Sequence, residues 1–205
     1  YCDRRTVAQA IVATVALALQ PGGVAFGSQI LGLQQQAHGT YAVYLCSGPA
    51  REGDFSYWMK TLSAAQTYVV NVDTIHGGYG HDLADPKVAR RLEELVSSPR
   101  CCGVLATIPC STWSPVRYVQ PGPPPLRKLP DHAAGIPNAD GSIPVHVEKA
   151  NQIARHAISI IEKHMRPTSP PMPRRFVFEN PVGRDRDSQF AIPGREDHAS
   201  LWKLP

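Results

Sequence analysis

The chain has 205 residues, enough for one domain with a sizeable core, and a formal net charge of +4, which permits a polyanionic partner without requiring one. Its five cysteines are odd in number and include no Cys-x-x-Cys pair, which argues against a disulfide framework or a zinc ribbon and for a reducing compartment, nuclear or cytoplasmic. The sequence begins at Tyr1 rather than Met and ends on an apolar stretch (Leu201, Trp202, Leu204), so it reads as a piece of a longer polypeptide, with flanking domains as expected partners.

Val7 to Leu19 is Ala-rich and apolar but too short to cross a bilayer, and Gln9 interrupts it. It resembles the apolar core of a signal peptide but reads in preference as an amphipathic helix over Arg5–Leu19, closed by Pro21-Gly-Gly23, and no membrane partner is expected. A short helix at Ser28–Ala37 is the reading of an ambiguous stretch. Tyr41–Cys46 predicts a strand, broken by Ser47-Gly-Pro49. Asp54 caps a helix to Ala65 with Phe55, Trp58, Met59 and Leu62 at helical spacing. Thr67–Val72, rich in β-branched residues, is a second strand ending at Asp73. His76 to Asp82 reads as a flexible polar loop, and Asp85-Pro86 opens the next helix as N-cap and first-turn proline. Val104–Ile108 is a third strand, cut off by Pro109 and followed at once by Cys110. The segment from Pro115 to Pro144 carries eight prolines, with Arg117, Arg127 and Lys128 among them, and is expected to be a lid, a binding loop or a linker rather than core. Val147–Met165 is the clearest helix, and Arg174–Phe178 a fourth strand ending in Glu179-Asn-Pro181.

Strands alternating with helices imply a parallel sheet covered on both faces, in which ligands bind at the carboxyl ends of the strands. Each unusual group sits at such an end: Ser47-Gly48, Asp73, Cys110 and Glu179. A glycine turn after one strand and an acid after the next suit an adenosine-bearing cofactor, the acid accepting from a ribose diol. Cys110 is either a nucleophile or an inert small thiol. Glu179 either hydrogen-bonds a ring nitrogen or pairs with Arg174 or Arg175.

Leu45-Cys-Ser-Gly48, Asp73, His81-Asp82, Pro109-Cys-Ser-Thr-Trp-Ser114 and Phe178-Glu-Asn-Pro181 follow one another in an order and rough spacing that resembles the DNA cytosine-5 methyltransferases. The Pro-Cys and Glu-Asn pairs are the specific matches. The likeness covers roughly Tyr41 to Pro205 and is nearest to short, divergent versions with a Pro/Arg-rich segment after the cysteine, as in mobile-element and viral-like polyproteins. It implies a Rossmann-like class I methyltransferase fold over residues 41–205, with 1–40 as a helical lead-in and 115–146 as a proline-rich loop. It further implies an S-adenosyl-L-methionine site of Ser47, Gly48, Asp73, Asp82 and Pro109. Cys110 would attack C6 of a flipped-out cytosine, Glu179 would contact N3 and the exocyclic amine, and Ser114, Arg117, Arg127 and Lys128 would hold DNA.

Several positions depart from the family pattern. Ala50 replaces the second glycine of the cofactor turn, Trp113 a usual phenylalanine and Pro181 a valine, and the Gln-x-Arg-x-Arg segment is missing. An inactive methyltransferase-like binding or assembly module of a larger protein is therefore the alternative. A zinc deaminase is rejected, because His146-Val-Glu148 follows rather than precedes Pro109-Cys110 and Trp113 stands where a second cysteine is needed. His76, His81 and Asp82 read as a polar loop in preference to a metal site.

Overall fold

A computed structural model describes residues 39–62, 67–118, 121–167, 173–181, 183–191 and 193–204; the helices expected at Arg5–Leu19 and Ser28–Ala37 lie outside them. The described residues fall into two compact units, one running up to Thr107 and joined by His156–Phe178, the other formed by Ile108–Arg155 with the residues from Glu179 onward.

The first unit holds a four-stranded, all-parallel sheet in the order β2-β1-β3-β4, with β1 at Thr40–Leu45, β2 at Thr67–Val72, β3 at Cys101–Ala106 and β4 at Arg175–Phe178. Parallel neighbours need crossovers, and helices supply them: α1 (Phe55–Leu62) between β1 and β2, α3 (Pro86–Ser97) between β2 and β3, and α4 (Val145–Met165) before β4. The pairing sets Val43 beside Val70 on one side and Val104 on the other, so alternate residues of the central strands share a face. One face meets α3, where the Tyr41 hydroxyl donates to the Leu95 carbonyl at 2.7 Å. The other meets α1, where the Tyr44 and Phe55 rings pack edge to face at 5.5 Å. Tyr41, Val43, Leu45, Leu92 and Val96 are fully buried, and each such aliphatic side chain contributes about 1.5–3 kcal/mol by leaving water. Helices on both faces of a parallel sheet make this an α/β architecture.

Local chemistry explains the helix ends. The Asp85 side chain accepts from Lys87 N at 2.7 Å and Pro86 fills the first turn, so α3 starts where the sequence predicts. Asp54 Oδ1 accepts from Tyr57 N at 2.8 Å and starts α1. The loop expected between His76 and Asp82 is instead a short helix α2 (Thr74–Gly77) followed by a 3-10 turn over Gly78–His81. Asp73 starts it by accepting from Ile75 N. At the far end of α3, Arg174 donates to the carbonyls of Val96, Ser97, Ser98 and His164, satisfying helix ends that would otherwise be left bare. Its guanidinium is therefore spent on backbone.

The second unit contains the segment expected to be free of core. It is folded: Pro115–Tyr118 forms a 3-10 turn, Lys128 and His132 bridge, and Arg127 and Gly135 are buried. Among the described residues no helix is long and apolar enough to cross a membrane.

Candidate functional site

In the first unit the order β2-β1-β3-β4 means that the chain leaves β1 in one direction to form β2 and returns on its other side to form β3. The carboxyl end of β1 is thus a topological switch point, the place where open α/β sheets bind ligands. Two residues there have positive φ: Cys46 at 54° and Gly48 at 65°. Gly48 tolerates this as glycine does, and no atom lies within 4 Å of where a Cβ would be, so its outer side is open. Cys46 has no such freedom. It is pinned by its amide, which donates to Val72 O at 2.7 Å, and by its carbonyl, which accepts from Thr107 Oγ1 at 2.9 Å. Backbone strain of this kind, about 1–3 kcal/mol, concentrates at functional sites.

The Gly48 turn is braced from β2. Its amide donates to Asp73 Oδ2 at 3.1 Å, and its carbonyl accepts from His76 Nε2 at 2.7 Å, which fixes a proton on that nitrogen. Asp73 Oδ1 accepts from Ile75 N at 3.0 Å. A carboxylate has about four lone-pair positions, so Asp73 can brace the turn and still accept from a ligand. Asp82 Oδ1 accepts from Ala84 N at 3.1 Å, and Ser47 is buried, its hydroxyl donating to Gly48 O. Burial, reinforced by the negative charges of Asp73 and Asp82, pushes the Cys46 thiol up to about 12, which removes it as a nucleophile. Burial, with His76 beside it, pushes His81 down to about 4 and keeps its ring neutral. Among the described residues no group of three or more His, Cys, Asp or Glu side chains is placed to hold a metal.

In the second unit Cys110 and Pro109 are exposed, and Cys110 opens a turn closed by Trp113 N donating to Cys110 O at 2.9 Å. Trp113 is the anchor of that turn and is almost wholly buried. Its carbonyl accepts from His198 Nε2 at 2.8 Å, and His198 Nδ1 accepts from Arg184 N at 3.0 Å, so the imidazole is a neutral Nε2–H tautomer. Asn180 Nδ2 donates to Ile108 O at 3.5 Å, tying the residue after Glu179 to the approach to Cys110. Glu179 itself is exposed.

The four residues expected to contact DNA separate. Ser114 Oγ accepts from Val116 N at 3.3 Å, and Arg117 donates to Ser111 O at 2.7 Å and to Pro124 O at 3.2 Å while staying partly open to solvent. Lys128 is exposed in an ion pair with Asp197 at 3.2 Å. Arg127 does not hold phosphate: it is 1% exposed, stacked 4.1 Å from the Trp113 ring centroid and bonded to Thr112, Ala133 and Val147. Burial pushes it down to about 10, still charged at neutral pH.

The sequence signalled the ends of the strands, but not the strained Cys46, the bracing His76 or the His198–Trp113 tie. A cavity of about 440 Å³, lined by Phe55, Met59, Leu105 and Val177 on the α1 face of the sheet, includes none of the expected site residues. The chain matches no protein-family model, no curated protein and no solved structure.

Proposed function

We propose that this chain is a Rossmann-like class I methyltransferase domain of the DNA cytosine-5 type, transferring a methyl group from S-adenosyl-L-methionine to C5 of cytosine in DNA. The observation that carries the reading is the open Gly48 turn, braced by the Asp73 carboxylate at the switch point of a parallel sheet. An exposed thiol in a tied turn after β3 supports it independently.

The fit to the cofactor rests on Gly48, which leaves room for close approach, and on Asp73, which keeps lone pairs for a ribose diol. When bound, S-adenosyl-L-methionine supplies an electrophilic methyl group on a sulfonium. In this reading the exposed Cys110 thiol loses its proton to solvent and the thiolate adds to C6 of a cytosine that has left its stack, and the displaced electron pair makes C5 nucleophilic. Glu179 holds N3 and the exocyclic amine through that addition. Transfer of the methyl group to C5 would break its bond to sulfur and leave the neutral thioether S-adenosyl-L-homocysteine; loss of the C5 hydrogen as a proton to solvent and breakage of the Cys110–C6 bond would then restore the ring and the thiolate. Arg117 and Lys128 remain the basic residues available to phosphate.

A second reading, an inactive methyltransferase-like module of a larger, mobile-element or viral-like protein, is favoured by one detail. Each Asp73 oxygen already accepts a backbone amide, so the turn is complete without a ligand. Titration with S-adenosyl-L-methionine separates the two: heat and a thermal shift are expected, and neither is seen if the module is inert. A duplex containing 5-fluorocytosine then tests the thiol, because fluorine at C5 blocks the final elimination. The parent should form a covalent adduct that Cys110→Ala abolishes. An adduct surviving that substitution refutes the assignment of the nucleophile.

A further inference from the structure

We propose that Arg127 is a positioning residue for Cys110, acting through Trp113 and Thr112 rather than through any contact with substrate. The inference rests on the reading of Cys110 as nucleophile.

Arg127 is buried to 1% exposure, and among the described residues it forms no ion pair. A cation in such a place is costly, so its geometry has to return something that a hydrophobic residue cannot. Its planar fork donates to Thr112 Oγ1 at 3.1 Å, to Ala133 O at 2.9 Å and to Val147 O at 3.5 Å, while its face covers the Trp113 ring at 4.1 Å. Its own carbonyl accepts from the Tyr118 hydroxyl, which in turn accepts from Ala199 N at 3.3 Å. Thr112 and Trp113 are the last two residues of the turn that Cys110 opens, and Trp113 N closes that turn on the Cys110 carbonyl at 2.9 Å. Arg127 therefore grips the closing end of the turn by ring and hydroxyl together, and His198 holds the Trp113 carbonyl at 2.8 Å. A lysine would keep the charge but could not cover the ring and reach three oxygens at once.

The test uses the full chain with Arg127→Lys and, as a milder probe, the isosteric Thr112→Val. Hydrogen exchange is followed by mass spectrometry across residues 108–117, and trapping on 5-fluorocytosine duplex is measured with S-adenosyl-L-methionine. In Arg127→Lys, exchange of the turn should rise about tenfold while the β1–β3 strands keep their protection. The saturating trapping rate should fall at least tenfold, with half-saturation by DNA within threefold of the parent. Thr112→Val should move both readouts in the same direction by less. Unchanged exchange in both variants overturns the proposal, and so does a loss that appears only as weaker DNA affinity. A parent that traps no DNA refutes the methyl-transfer reading alone. The positioning claim then stands or falls on the exchange result and on iodoacetamide alkylation of Cys110, expected to change at least fivefold in Arg127→Lys and refuted by equal rates.

Discussion

Replacing His198 by alanine removes a side chain that satisfies two backbone groups from opposite sides of the ring. Nε2 donates to the Trp113 carbonyl at 2.8 Å, Nδ1 accepts from the Arg184 amide at 3.0 Å, and the imidazole is fully buried. Each hydrogen bond is worth about 1 kcal/mol net, and a buried group left without its partner costs about 1–3 kcal/mol. The expected loss is therefore about 2–4 kcal/mol at pH 7.5. With a urea m-value of about 1–3 kcal/mol per molar, the far-UV circular dichroism midpoint should fall by roughly 0.7–4 M. The same loss must depend on pH. Burial holds the His198 pKa below its ordinary value, opposed by Asp185 and reinforced by Arg195 and Arg184, and a proton on Nδ1 would face the Arg184 N–H. A folded-state pKa below the unfolded one contributes stability that is complete above about 6.5 and is lost as pH falls below it. His81 and His164 are shifted in the same direction, but both remain in the variant and cancel in the comparison. The gap between parent and His198→Ala should narrow steadily from pH 7.5 to 5. A gap that stays constant with pH, or one under about 1 kcal/mol at pH 7.5, refutes the tautomer and the two bonds drawn from it.

Two further outcomes follow from the first unit. Gly77→Ala would place a Cβ 2.1 Å from the His81 ring, so either that ring or the turn that carries it must shift; a loss of about 1–3 kcal/mol in urea unfolding is expected, and a neutral variant would show that the His81 ring moves aside freely. Asp73→Asn sets an amide donor against either Gly48 N or Ile75 N, costing about 1–3 kcal/mol, and removes a charge that raises the Cys46 pKa. Alkylation of Cys46 should therefore begin at lower pH in the variant, and an unchanged profile would mean that burial alone holds the thiol protonated.

The sequence announces its sheet through residue types that suit a pleated, half-buried surface. Thr67–Val72 forms β2 with the bounds its β-branched run predicts, and Asp85-Pro86 starts α3 where capping chemistry requires. β3 begins at Cys101, before the apolar run at Val104, because pairing of Tyr41 with Cys101 draws the earlier residues into the ladder, and Ile108 leaves it. Such a shift depends on a neighbour strand and is invisible in a local pattern. The Gly-rich stretch after Asp73 looks like a loop because glycine weakens helices. What overrides that propensity is a side-chain cap from Asp73 and a His81 ring filling the space beside Gly77. Arg127 is buried where its local sequence predicts exposure. Arginine among prolines suggests an exposed phosphate contact, whereas its burial depends on a tryptophan, a threonine and a helix start elsewhere in the chain. The strand ends were legible, because a parallel α/β order fixes which residues close each strand. The side chains that hold them in shape were not.

The three tryptophans divide unevenly between water and interior. Trp58 and Trp202 are 50% and 54% exposed, while Trp113 is 1% exposed beneath a guanidinium. An aqueous quencher such as acrylamide will silence the first two and leave the third emitting. The residual fluorescence of the unmodified protein is thus an optical gauge of the Cys110 turn, readable without a label, a ligand or turnover.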